Sequence, residues 1–290
     1  MTDMIANAPS PVVLPNRGIL RLAGPDRVSF LQGLISNDVT TVAASRPAYA
    51  CLLTPQGKFL HDMFVVADGD SLLIDCEGDR RDDLLRRLKV YRLRSKVEIV
   101  DETGSFAVLA LPDGADVDGV AAFGDPRTDA LGARALVAPE RAGAIDDSGG
   151  EAFVAYDRLR IAAAIPDGSR DMEVGKAILL ENNIDLLNGI AWRKGCYIGQ
   201  ELTARTHYRG LIKKRLIPVR IDGRAPEAGT PLMENGVEIG EMRSSSGDLG
   251  LALLRLDVVR QGRPLHVEGA TLLPEPPAWL AAAITEPAEA

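Results

Sequence analysis

The feature that most constrains the fold is a change of pattern after Gly210. Residues 215–221, 237–243, 250–258 and 265–273 are short runs rich in Leu, Val and Ile, separated by Gly, Pro and Asp. Several short strands at this spacing close most readily into a small antiparallel barrel. The chain is therefore expected to divide into residues 1–210 and a C-terminal barrel domain, 211–290.

The first part mixes two periods. Residues 17–23 alternate as a strand, and Gly24-Pro25-Asp26 opens a helix carrying Val28, Leu31, Leu34 and Ile35 at helical spacing. That helix is expected to stop near residues 36–38. Strands are predicted over 49–54 and 59–66, joined by the turn residues Pro55-Gln56-Gly57-Lys58, and over 71–76, 96–100, 105–111 and 133–138. Helices are predicted over 79–90, 152–163 and 198–208, and ordered loop with short turns over 168–195. The fold class is α+β.

Composition excludes several functions. Hydrophobic residues make up 46% of the 290, charged residues 26% and aromatics 4%, as in a globular chain with an aliphatic core. No run approaches 18 apolar residues, and the C-terminal AWLAAAIT is too short for an anchor, so no membrane partner is expected. The formal net charge of −8 argues against global nucleic-acid binding. Cys51, Cys76 and Cys196 form no disulfide framework and no metal-ligand spacing, so no resident metal site is expected. Those cysteines, and a first fifteen residues without Lys or Arg, lead to an expected cytoplasmic location.

The densest chemical signal is Lys194-Gly195-Cys196-Tyr197-Ile198-Gly199-Gln200-Glu201. A cysteine at the start of a helix, beside Arg193 and Lys194, is biased toward thiolate. Residue chemistry leaves two readings open: a nucleophile or soft ligand, or a cysteine that only packs. Gly195 and Gly199 would admit close backbone approach to a ligand, or simply serve the turn. Residues 79–98 carry eight Lys/Arg against four acids, either as a solvated helix face with pairs such as Asp82–Arg86 and Asp83–Arg87 or as a landing surface for an anion. A second basic cluster runs from Arg205 to Arg215. His61 is read as packing, and His207 as too far along its helix to share a metal with Cys196. No phosphate-binding loop, dinucleotide fingerprint or Ser–His–Asp pattern is present.

The segment KGCYIGQE, within LNGIAWRKGCYIGQELTARTHYRGLIKKRL, resembles the signature of the YgfZ-type folate-binding relatives of the glycine-cleavage T-protein, an aminomethyltransferase. RGILRLAGPDRVSFLQGLISNDVTTV, ACLLTPQGKFLHDMFV and YRLRSKVEI extend the resemblance over most of the chain, and it is strongest toward the mitochondrial-type branch that acts in [4Fe-4S] cluster assembly. The resemblance implies a T-protein-like fold: two interleaved α+β subdomains around a central channel, plus the barrel. It implies tetrahydrofolate, or a one-carbon derivative, held in that channel. Asn37, Asp38, Lys194, Gly195, Tyr197, Gly199, Gln200, Glu201 and Arg205 would line the cofactor site, and Cys196 and Asp38 would act chemically. Asp38, otherwise an ordinary turn residue, was expected at a helix C-terminus, where the dipole disfavours its charge. The sequence departs from the family at Ala162, which stands where T-proteins carry a pterin-binding glutamate. The resemblance thus implies an accessory factor more than a turnover enzyme, with A-type iron–sulfur carriers, [4Fe-4S] client enzymes and folate as partners and transient cluster contact through Cys196. Folate-dependent aminomethyl or one-carbon transfer, and regulation of tRNA modification, are the alternatives. Direct nucleic-acid binding is not expected.

Overall fold

The computed structural model describes residues 11–112, 117–145 and 150–285. The first ten residues of the lead-in, and parts of the Gly- and Asp-rich loops after β7 and α3 below, lie outside the described residues.

The first sheet is built from β2 (Arg17–Ala23), β3 (Ala48–Leu53), β4 (Phe59–Asp68), β5 (Ser71–Glu77) and β6 (Glu98–Asp101), in the order β3-β4-β5-β2-β6 with β1 (Val12–Val13) outside it. All its pairings are antiparallel; Leu20 lies opposite Ile74 on one side and Asp101 on the other. Helices α1 (Arg27–Gln32) and α2 (Arg81–Arg92) cover one face, burying Leu31, Leu84 and Leu88 against Leu22, Leu52, Met63 and Ile74. The other face carries Tyr49, Cys51, Leu53 and Phe64 against Met172, Leu180 and Ile184. Because both faces are covered, every residue of β3 is buried and the usual alternation disappears.

A second sheet, β1-β7-β9-β8, comprises β1, β7 (Ala107–Leu111), β8 (Ala122–Gly124) and β9 (Ala133–Val137). β1 precedes β2 in the chain yet pairs with β7, with Val12 opposite Ala110. This crossing interleaves the two subdomains. Helices α3 (Pro139–Ile145) and α4 (Glu151–Ala162) follow; α4 packs Tyr156 and Leu159 on the same core as β1 and β7. The short α5 (Gly168–Asp171) and α6 (Gln200–Tyr208) complete this part.

The third sheet, β11-β12-β13-β10-β15-β14, is the nearly closed C-terminal barrel. Its strands are β10 (Lys214–Gly223), β11 (Pro231–Glu234), β12 (Val237–Ser246), β13 (Leu249–Arg255), β14 (Leu265–Val267) and β15 (Ala270–Pro274). Helices α7 (Leu256–Val259) and α8 (Ala278–Thr285) cap it, and Leu280 and Ile284 of α8 enter its core. No helix of the described residues is long and apolar enough to cross a membrane.

Of the boundaries that differ from expectation, four have a cause in the contacts or the backbone. α1 ends at Gln32, because Ile35 bridges to Leu52 and the Ser36 N–H donates to the Cys51 carbonyl, drawing the chain to the edge of β3. α6 starts at Gln200 instead of 198, because Gly199 takes a φ of +81°. The run 250–258 divides into β13 and α7. The run 265–273 divides into a hairpin, turned at Gly269 with φ +77°.

Candidate functional site

The segment after α1 is held by its own polar side chains. Ser36 Oγ donates to the Gly189 carbonyl at 2.6 Å and accepts from the Cys51 N–H at 2.8 Å. Asn37 Nδ2 donates to the carbonyls of Tyr49 and Asn188, both at 2.7 Å. Lys194 then closes the arrangement: its Nζ donates to the carbonyls of Ile35 at 2.7 Å and Asn37 at 2.6 Å. Partial burial lowers the Lys194 ammonium to about 8, opposed by the nearby Asp38 carboxylate. The same Nζ lies 5.2 Å from the centre of the Tyr197 ring, whose phenol burial pushes up to about 12. Asn37, Asp38, Lys194 and Tyr197 are thus brought together.

Asp38 itself behaves differently from expectation. Its Oδ1 accepts from Thr40 Oγ1 at 2.6 Å, Thr40 N–H at 2.9 Å and Gln32 Nε2 at 3.1 Å. These bonds, that from the Thr40 hydroxyl foremost, hold the carboxyl below its ordinary range. The residue caps a turn as an ionised carboxylate. It also lies six residues beyond the end of α1, so the dipole that was to raise it does not reach it.

Cys196 is exposed, whereas Cys51 and Cys76 are buried. Burial raises both buried thiols, Cys76 to about 12. Cys196 lies in the loop four residues ahead of Gln200, so it does not sit at the helix N-terminus as expected. Arg193 and Lys194 precede it in the chain, with the Lys194 ammonium engaged by the Ile35 and Asn37 carbonyls. Gly195 faces open space. Gly199 serves chain packing rather than a ligand: a Cβ there would meet Thr54 O at 2.5 Å and Gly57 Cα at 2.9 Å. The β3–β4 turn and the start of α6 touch through these two glycines. Glu201 pairs with Arg205 at 2.5 Å, and both, with Gln200, line a shallow outer groove of α6, away from the Asn37–Lys194 cluster.

Two features went unread in the sequence. Trp192 stacks on His207 with ring centres 3.9 Å apart, and Tyr208 meets both edge-on. The second is a small cavity lined by Arg17, Asp62, Phe64, Arg127, Arg134 and Arg160 among others. Asp75 there accepts from Arg17 and Arg134, both at 2.6 Å, and Asp125 pairs with Arg127 at 2.8 Å. The Arg134 guanidinium lies 4.0 Å over Phe64. Asp62 Oδ1 and Arg134 Nε are buried without a partner among the described residues, and burial raises the Asp62 carboxyl. These residues come from five distant segments, so no local spacing announced them.

This cavity has a volume of about 20 Å³, room for roughly one water. Small-molecule sites usually need about 300 Å³ or more. Ala162 supplies no polar group; it packs against the cluster of Leu216, Leu249 and Leu251 in the barrel. A pteridine would have to displace buried arginine–carboxylate pairs. A pteridine does not fit this cavity, and Asp38 lies outside its lining.

Similarity to known proteins agrees with this architecture. Residues 213–282 match the family model of the CAF17 C-terminal beta-barrel domain. The aminomethyltransferase T of the glycine cleavage system from Bartonella henselae superposes with a TM-score of 0.70 at 14% identity, covering 95% of this chain and 88% of that one. That likeness bears out the T-protein-like fold. The mitochondrial iron–sulfur cluster assembly factor IBA57 of Homo sapiens is 33% identical, over 89% of this chain and 80% of its own length. The chain belongs to the IBA57 family of iron–sulfur cluster assembly factors. The IBA57 homologue of Neurospora crassa is 30% identical over 85% of this chain and 70% of its own. These IBA57 relatives are named as mitochondrial, which overturns the cytoplasmic expectation.

Proposed function

We propose that the chain serves iron–sulfur cluster assembly by presenting Cys196 as a single thiolate ligand to a cluster carried by a partner. The observation that supports this is the contrast among its cysteines: Cys196 is exposed on a loop, while Cys51 and Cys76 are sealed in the core. Thiolates ligate iron, and the proton leaves on binding. The exposed Arg193, three residues before Cys196 in the chain, favours the approach of an anionic cluster.

One cysteine cannot hold a cluster, which takes four protein ligands. The remaining ligands belong to the partner, an A-type iron–sulfur carrier, and the cluster is cargo passing toward [4Fe-4S] client enzymes. The clasp of Lys194 on Ile35 and Asn37 fixes the loop from one side, and the Gly57–Gly199 contact fixes it from the other. Cys196 is therefore presented from an anchored loop, with less ordering left to be done on contact. Neither folate nor one-carbon transfer enters this reading.

The test is made in cells lacking the endogenous protein. Chain carrying Cys196→Ser should accumulate normally yet leave [4Fe-4S] enzymes inactive. Undiminished enzyme activity would remove the cysteine from the mechanism.

A further inference from the structure

The C-terminal end of α2 carries a surface that nothing above uses. Val90 is 67% exposed and Leu93 86% exposed. Around them Lys89, Arg92, Arg94 and Lys96 are all exposed. The acids of α2 are engaged elsewhere: Asp83 holds Arg86, Arg87 and Arg80, and Asp82 holds Arg81. No side-chain hydrogen bond or ion pair engages those four cations among the described residues. Leu93 has a φ of +43°, which a bulky residue adopts only under strain. A protruding aliphatic tip ringed by unpaired cations has thus formed in a chain of net charge −8.

This tip and the Cys196 loop lie at the two ends of α1. At one end Asp26 Oδ2 accepts from the Lys96 N–H at 2.7 Å. At the other, the Ile198 N–H donates to the Gly33 carbonyl at 3.3 Å. Asp26 and Gly33 are separated by about 10 Å of helix. Ile198, Val28, Leu85 and Tyr91 pack on one core, so both ends share the same face of the first sheet. Beside Cys196 in the chain, Arg193 is exposed as well; beyond the far end of α6, Arg209 and Lys213 are exposed, with Tyr208 and Leu211 68% and 50% exposed.

Building on the proposed function, we infer that the face running from the Leu93 tip across α1 to Cys196 is the docking surface for the cluster-carrying protein, and that the partner meets it with an acidic face holding an apolar recess for Leu93. Charge complementarity along this length would steer the encounter and set the register that brings the cluster to Cys196. The segregation of unpaired cations on one face of an acidic molecule favours an acidic protein.

The experiment measures the dissociation constant of full-length protein for an A-type carrier loaded with a [2Fe-2S] cluster, at low and high salt. A Lys89→Glu/Arg92→Glu/Arg94→Glu variant should bind at least about tenfold more weakly and lose most of the salt dependence, and Leu93→Asp should also weaken binding. Arg224→Glu, an exposed site on the barrel, should bind as wild type. Unchanged affinity in both tip variants overturns the inference, as does wild-type protein that prefers phosphatidylglycerol vesicles or tRNA to the carrier. Cys196→Ser separates the two ideas. If it abolishes the change in the cluster spectrum while the tip variants bind normally, the docking surface is wrong and the ligand role stands. If it gives the same spectral change as wild type while the tip variants bind weakly, the surface stands and the ligand role fails.

Discussion

The ammonium of Lys194 donates to the backbone carbonyl of Asn37 at 2.6 Å, fastening the cysteine loop to the turn built by Asp38. The same group takes the Ile35 carbonyl, so replacing it leaves two acceptors unpaired at a half-buried site. Lys194→Met should cost roughly 1–3 kcal/mol in denaturant unfolding at pH 7. The pH dependence has a definite sign. The folded group titrates near 8 and the unfolded one near 10.5, so the unfolded chain holds more protons between those values. Wild-type stability should therefore rise relative to Lys194→Met as pH climbs from about 8 to about 10.5.

His61 is buried beside Asp83, 2.9 Å from its Oδ2. Burial, aided by Arg80 and opposed by Asp83, lowers its imidazole from 6.5 to about 4. The unfolded chain therefore takes up the proton first as pH falls. Stability contributed by neutral His61 is complete above about 6.5 and is lost progressively toward 4. In a series of unfolding curves between pH 7 and 4, His61→Gln should show a shallower loss than wild type. Parallel losses would assign the acid sensitivity to other groups.

Gly199 stands at φ +81° with Thr54 O 2.5 Å from the position of a Cβ. Gly199→Ala combines a backbone penalty of about 1–2 kcal/mol with a collision against the β3–β4 turn. Its melting temperature should fall by several degrees, and hydrogen exchange should quicken in α6 and in residues 54–58 together. Quickening confined to α6 would mean that the two glycines do not couple these segments.

Titration of the protein with tetrahydrofolate in a calorimeter should give no binding heat. Arg134 lines the cavity, and its guanidinium pairs with Asp75 while lying over Phe64. Arg134→Met should destabilise the fold by roughly 3–5 kcal/mol, as removal of one partner from a buried ion pair does. A ligand site would instead tolerate the change and lose binding.

The strands were legible wherever one local pattern decided them. Residues 17–23 emerged as β2, and Pro55-Gln56-Gly57-Lys58 joins β3 to β4 as turn chemistry implied. Helix ends were misread where a contact distant in sequence intervened, as with Ile35 at Leu52 and Gly199 at Thr54. The ion pair Asp83–Arg87 formed at helical spacing, whereas Asp82 turned to Arg81 and Arg86 joined Asp83. Cys196 could be singled out because its neighbours are Gly and cations. The arginine-filled centre could not: Arg17, Asp75, Arg127 and Arg134 are each unremarkable in their own segments, and only the interleaving of two sheets brings them together.

The role assigned to Cys196 is tested most directly by the visible circular dichroism of a cluster as it meets the protein. A [2Fe-2S]-loaded A-type carrier, mixed with wild type, is expected to change its spectrum to saturation at one equivalent, as one ligand at the cluster is exchanged for the Cys196 thiolate. With Cys196→Ser the spectrum should remain that of the carrier alone. The same spectral change in both would contradict the account.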